Sequence, residues 1–276
     1  MTDLILHHYP QSPFAEKARL LLGFKGLSWH SVMIPPVMPK PDLTALTGGY
    51  RRTPVLQVGA DIYCDTALIA RRLEQEKAAP ALFPEGQEAA AASLAQFADQ
   101  VLFQHAVAIN FQPKGLAERF AGMPEQVVKG FVADRQKLFS GGTASRLDTE
   151  VALGQWPALL SRLETQLERD GDFLLGSQPS IADFAHYHAL WFVASNRAVA
   201  DALEPYPAVR AWMQRVRDIG HGSHTELSAE QAITIARDAT PAALPADAIA
   251  SPTGLTAGQS VTVSAVDYGT DEVAGT

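Results

Sequence analysis

The chain opens with a short apolar run, residues 4–9, that reads as a first strand, after which Ser12-Pro13 starts a helix. Serine is a favoured N-cap and proline suits the first helical position. Phe14, Ala18, Leu21 and Leu22 keep helical spacing up to Gly23, and Gly26 supplies a stop. Residues 28–34 predict a second strand, while the Pro-rich stretch 35–41 excludes a helix interior or a central strand. A loop carrying Gly48-Gly49 leads to a third strand over 53–58, a tight turn at Gly59-Ala60-Asp61 and a returning strand over 62–64. Asp65 or Thr66 then caps a helix that runs through Leu73. The order β-α-β-loop-β-β-α, within roughly 75 residues, is too compact for a doubly wound nucleotide fold and suits a small sheet with helices packed on it.

Residues 80–84 read as a linker, and beyond them the pattern is helical throughout. Residues 89–110 predict one long, Ala-rich amphipathic helix with Phe97, Val101 and His105 on roughly one face, ended by Pro113. Further helices are expected over 125–139, 148–169, 180–195 and 206–219. Ser180-Ile181-Ala182-Asp183 has capping-box spacing, so Asp183 is expected to serve folding rather than chemistry. The last stretch changes character: a helix over 228–238, an Ala- and Pro-rich linker over 240–253, then polar/apolar alternation over 260–266. Gly269 and Asp271 supply turn chemistry there, so a terminal hairpin is expected. The chain thus divides into 1–79, 85–224 and a C-terminal extension, 225–276.

Composition narrows the function classes. At 276 residues the chain exceeds what one core usually serves, and 47% apolar residues supply ample core material. A net charge of -8, with no Lys/Arg run longer than Arg51-Arg52 and Arg71-Arg72, argues against a nucleic-acid partner. The opening residues lack the basic start and apolar length of a signal peptide, and no stretch approaches a membrane span. The single cysteine, Cys64, excludes an internal disulfide and a Cys-rich metal site, and reads as a packing residue. The histidines show no ligand spacing, so no metal is expected; a cytoplasmic location fits all of this.

Five segments together resemble the cytosolic glutathione S-transferase family. Residues 6–14 resemble its first strand and active-site turn, and Arg52-Thr53-Pro54-Val55-Leu56 its cis-proline strand. Residues 64–70 resemble its glutamate-serine helix start, with Asp65 and Thr66 substituted. Phe173-Leu174-Leu175-Gly176 with Ser180-Ile181-Ala182-Asp183 resembles the folding motif of its helical domain, and Tyr206-Pro207 with Trp212 its closing helix. The resemblance covers residues 4–219; the tail resembles an addition found in some bacterial members.

The resemblance implies a thioredoxin-like α/β N-terminal domain, an all-α C-terminal domain and a small C-terminal α/β appendage, assembled as a homodimer. It implies an enzyme that conjugates glutathione, as co-substrate, to a small apolar electrophile in detoxification. Ser12 would stabilise the thiolate by a hydroxyl hydrogen bond at a helix N-terminus, with Tyr9 as its rival. Thr53, beside a cis Pro54, would pair with the cysteinyl main chain. Asp65 and Thr66 would hold the γ-glutamyl end, and Arg52, with Arg51 behind it, the glycyl carboxylate. Phe14, Phe97, Phe103, Asn110 and Phe111 would line the electrophile pocket. Position 12 is Ser and position 15 is Ala, which leaves disulfide chemistry without a nucleophile in that turn. The competing reading is a non-catalytic glutathione- or ligand-binding protein on the same scaffold.

Overall fold

The computed structural model describes residues 3–144, 146–243, 254–256 and 258–276. The N-terminal unit runs β1 (Leu4–His8), α1 (Pro13–Phe24), β2 (Trp29–Met33), α2 (Pro41–Thr47), β3 (Val55–Val58), β4 (Asp61–Cys64) and α3 (Thr66–Glu76). Every residue of β1 is buried, because the strand is central and covered on both faces. β2 pairs with it in parallel and β3 antiparallel, and β3 turns back into β4. Helix α2 lies where proline predicted only loop. Pro41 occupies its first turn, where the missing N–H costs nothing, and Gly48 closes it at φ 67.

The helical unit follows: α4 (Glu88–Phe97), α5 (Phe103–Asn110), α6 (Pro113–Arg119), α7 (Glu125–Leu138), α8 (Thr149–Asp170), α9 (Ile181–Ala194) and α10 (Pro207–Asp218). The helix expected over 89–110 is divided by a π-helical turn, Ala98–Leu102, which the side-chain period does not reveal. Helix α9 is buried on nearly every side, as its almost unbroken apolar sequence requires, and it contacts α1, α4, α5 and α10. Its capping box is formed. The Asp183 carboxylate accepts from Ser180 N–H (2.8 Å), Leu174 N–H (2.9 Å) and Trp212 Nε1–H (2.9 Å). One continuous core spans both units, joining Leu6 and Leu21 to Trp156, Phe184 and Trp212.

The chain then returns to the N-terminal sheet. β5 (His224–Glu226) adds a fifth strand parallel to β2, giving the order β4-β3-β1-β2-β5. Helix α11 (Ala229–Asp238) packs on that sheet, with Ala232 against Ile5 and Val32, and Gln57 Nε2 donates to the Ala232 carbonyl at 2.8 Å. The sequence showed α11 but not what it covers. Of the expected 240–253 linker, residues 244–253 lie outside the described residues. The terminal hairpin pairs β6 (Val261–Val263) with β7 (Val273–Gly275). The segment joining them crosses the end of α7: Gly269 N–H donates to the Leu138 carbonyl at 2.7 Å, and Ala144 N–H to the Asp267 carbonyl at 2.9 Å. Gly142, at φ 80, is fixed by this crossing, since a Cβ there would lie 2.3 Å from the Asp267 oxygen. Among the described residues no helix is long and apolar enough to cross a membrane.

Candidate functional site

Ser12 ends the turn after β1. Its N–H donates to the Tyr9 carbonyl at 3.2 Å, and its extended backbone (φ -76, ψ 119) places it as the N-cap of α1. The hydroxyl oxygen accepts from Ala15 N–H at 3.2 Å and is buried, with the residue 3% exposed. The hydroxyl donates to none of the described residues. The unpaired N–H groups of a 12-residue helix add a field that favours an anion at this end. Tyr9 packs against Ile34, Leu43 and Val55, with Lys40 Nζ 5.9 Å from its ring centroid.

Across the turn, Thr53 precedes Pro54 through a cis peptide bond. Asp65, at φ 79 and ψ 132, is the one non-glycine residue with positive φ among the described residues, a costly conformation held by its cap. One carboxylate oxygen accepts from Ala67 N–H at 2.8 Å, and the side chain is exposed. Thr66 is buried and its hydroxyl accepts from Lys17 Nζ at 3.2 Å. Lys17 is fully buried and pairs with Asp99 at 2.6 Å, while His188 Nε2 reaches the other Asp99 oxygen at 2.8 Å. Burial alone would raise the Asp99 pKa, but Lys17 and then His188 outweigh it and hold it at about 2. Burial lowers the His188 pKa, so the imidazole is neutral and the pair is Lys17⁺–Asp99⁻. Thr66 is thus fixed by a charge network that joins α1, the π-helical turn and α9.

A group of cations lies next to Thr53. Lys40, buried, donates to the Thr53 hydroxyl at 3.0 Å and to the Arg51 carbonyl at 3.2 Å, both neutral acceptors. Burial, then the charges of Arg135 and Arg51, depress its pKa to about 8, against a smaller opposing effect of Asp134. Arg51 is buried in an ion pair with Asp134 of α7. Arg52 is held by the Asp267 carboxylate and the Tyr268 carbonyl, and its guanidinium lies 3.7 Å from the Tyr268 ring centroid. The expectation that Arg51 and Arg52 await an incoming carboxylate is therefore revised. Each is already paired with an aspartate, one from the helical unit and one from the tail.

Three of the five expected pocket residues fall on one chain of rings. Phe14 meets Phe103 at 4.7 Å between centroids, Phe103 meets Phe192 at 5.9 Å, and Phe111 meets Phe192 at 6.3 Å. Phe97 instead faces His186 at 6.2 Å on a partly exposed surface. Asn110 is a core tie rather than a pocket wall: it donates to the Phe192 carbonyl and accepts from Asn196 Nδ2 at 2.8 Å. Cys64 packs with Tyr9 and Ile62, and burial, helped by Asp65, pushes its thiol up to about 11, which disqualifies it as a nucleophile. Among the described residues no three His, Cys, Asp or Glu side chains are placed to hold a metal ion. Sequence reasoning missed Lys40, Asp134, Phe192 and the pair Arg119 and Arg135. Only Lys40 carried a local hint, as a lone cation inside the Pro-rich stretch.

Two family models match: the glutathione S-transferase N-terminal domain over residues 6–81 and the glutathione S-transferase C-terminal domain over 115–215. A GST-like protein from Pseudomonas syringae is 52% identical, aligns over 99% of this chain and 87% of its own, and superposes with a TM-score of 0.81. FzlA from C. crescentus is 22% identical over 78% of this chain and 88% of its own (TM-score 0.55). A glutathione S-transferase III in apo form is 20% identical over 88% and 99% (TM-score 0.57). At those identities the last two speak for the fold alone. No curated protein sequence matches this chain.

Proposed function

This chain belongs to the glutathione S-transferase family, and from that premise we propose that it binds glutathione across the Ser12, Thr53 and Asp65 turns and transfers it to a small electrophile. The observation that carries the reading is Ser12: a buried hydroxyl at a helix N-terminus, anchored as an acceptor and free as a donor. The γ-glutamyl ammonium pairs with the Asp65 carboxylate. The γ-glutamyl carboxylate takes the Thr66 hydroxyl, which Lys17 orients, and the first N–H groups of α3. The cysteinyl main chain pairs with Thr53. The glycyl carboxylate goes to Lys40, the buried cation that meets only neutral acceptors. Tyr9, packed beneath Lys40, forms pocket wall. The electrophile lies against Phe14, Phe103 and Phe111. Homodimerisation, a cytoplasmic setting and a role in detoxification are part of the same reading.

Catalysis is thiolate stabilisation plus proximity. The thiol proton leaves to solvent, the Ser12 hydroxyl donates to the sulfur anion, and that sulfur attacks the electrophilic carbon as the leaving group departs with its electron pair. A hydrogen bond to a charged group contributes about 1.5–3 kcal/mol. At about 1.4 kcal/mol per tenfold, that raises the thiolate-to-thiol ratio by roughly 10- to 100-fold. A second reading, a glutathione-binding protein without turnover, is favoured by the tail seated on Arg52 at the edge of the site. Ultraviolet absorbance of the bound thiolate against pH separates the two. The wild type should show thiolate at neutral pH, Ser12→Ala should lower the thiolate-to-thiol ratio by roughly 10- to 100-fold, and Ser12→Thr should restore most of it. Bound glutathione that stays a thiol at neutral pH in the wild type contradicts the transferase reading.

A further inference from the structure

We propose that the acceptor half of this site takes an aromatic electrophile bearing a carboxylate, with Arg119 and Arg135 as its anchor; the proposal rests on the transferase reading for the identity of that half. Arg119 ends α6 and Arg135 lies in the last turns of α7, and both guanidinium groups face Phe131, at 5.8 and 5.0 Å from its centroid. Arg119 also lies over Phe111 (5.8 Å) and Phe192 (5.3 Å), the same rings that lead to Phe103 and Phe14. It makes no hydrogen bond or ion pair with any described residue. Arg135 donates to the Pro36 carbonyl and stands 3.4 Å from Asp134, but its Nε–H is buried without a partner among the described residues. Asp134 is shared with Arg51.

Lys40 feels the charges of Arg51 and Arg135, and Arg119 that of Arg135, while among the described residues Asp134 is the carboxylate that pairs with Arg51 and stands near Arg135. Such an excess stands out in a chain whose net charge is -8. Desolvating a cation without a counter-charge is costly, and glutathione's glycyl carboxylate on Lys40 answers only part of the excess. A carboxylate between Arg119 and Arg135 would receive charge-assisted N–H donors from both, including the orphaned Nε–H. Phe111, Phe131 and Phe192 offer ring faces to an aromatic body attached to it. Cation–π stacking accounts for one guanidinium on Phe131. It does not account for the unpaired N–H.

Calorimetric titration of the full chain with 4-nitrobenzoate and with its neutral analogue 4-nitrobenzamide, each to millimolar concentration, tests this without requiring turnover. The wild type should bind the benzoate at least tenfold more tightly. Arg119→Gln should abolish that preference while benzamide affinity stays within twofold, and Arg119→Lys should keep part of it. Arg197→Gln, at an exposed arginine paired with Glu118, should leave the preference intact. Equal affinity for the two ligands, binding of neither, or equal loss of both in Arg119→Gln overturns the proposal. A separate glutathione titration tells the two readings apart. Glutathione binding with no benzoate preference removes the anchor alone, and benzoate preference without glutathione binding leaves the anchor and removes the transferase reading.

Discussion

Ser12 caps α1 through its lone pair, and on the proposed reading it offers its proton to a ligand from the same oxygen. The sequence exposed the cap because a Ser-Pro start obeys local rules, and the same locality exposed Asp65 as the cap of α3. Lys40 was hidden, since a lysine between prolines looks like solvated loop until the fold buries it. Its pKa fixes a testable sign. In the folded chain the value is depressed from 10.5 to about 8, chiefly by burial. Below pH 8 the charged form is carried at a desolvation cost; that cost is relieved as pH rises from about 8 to 10.5, so on this count stability rises over that window. A carboxylate ligand acts in the opposite sense, favouring the ammonium and drawing in a proton. S-methylglutathione, which has no thiol, should therefore bind with proton uptake around pH 8 and lose affinity above it. Lys40→Gln should weaken it about tenfold, the scale of one charge-assisted hydrogen bond, and remove the proton uptake. Arg52→Gln, by contrast, should loosen residues 261–275 in hydrogen exchange and change ligand affinity little, because Arg52 serves the tail. Affinity lost through Arg52 and kept without Lys40 would reverse these assignments.

Among the elements, α9 was the most legible, because a capping box followed by an apolar run marks a buried helix from local pattern alone. Asp183 there accepts from Leu174 N–H, Ser180 N–H, the Ser180 hydroxyl and Trp212 Nε1–H, all buried. An unmet buried donor costs about 1–3 kcal/mol. Asp183→Ala should thus lower unfolding free energy by more than about 3 kcal/mol, read from the urea midpoint, with the folded fraction still binding glutathione. A midpoint unchanged by the substitution would contradict the role assigned to the box. Helix α2 escaped notice because a Pro-rich run reads as loop, although proline is permitted at a helix start. The π-helical turn escaped for a different reason. One wider turn leaves composition unchanged, yet it lies where Asp99 meets Lys17 and His188. Arg119 and Arg135 sit on amphipathic helices, where a charged position reads as solvent-facing, and only the packing of α6 and α7 brings them to one ring.

At the scale of the molecule, the two units were legible as a small sheet followed by helices, while their union was not. One core runs through both, β5 and α11 complete the first sheet from beyond the second unit, and Lys17–Asp99–His188 stitches α1 to the helical unit. Such contacts join residues far apart in sequence, so no local period reports them. Removing one member of a buried ion pair costs roughly 3–5 kcal/mol. Lys17→Met should accordingly lower stability by about that amount, and both units should still unfold in a single transition seen by Trp29 and Trp212 fluorescence. Two separated transitions would show the units to be independent. On the proposed reading Ser12, Thr66 and Lys40 surround one substrate, and the most direct test of that arrangement is calorimetry near neutral pH in two buffers of different ionisation enthalpy, with glutathione and with S-methylglutathione. Glutathione should bind with net proton release and S-methylglutathione without it, the difference being the thiol proton. Equal proton balance for the two ligands, or no binding of either at millimolar concentration, would contradict thiolate stabilisation at Ser12.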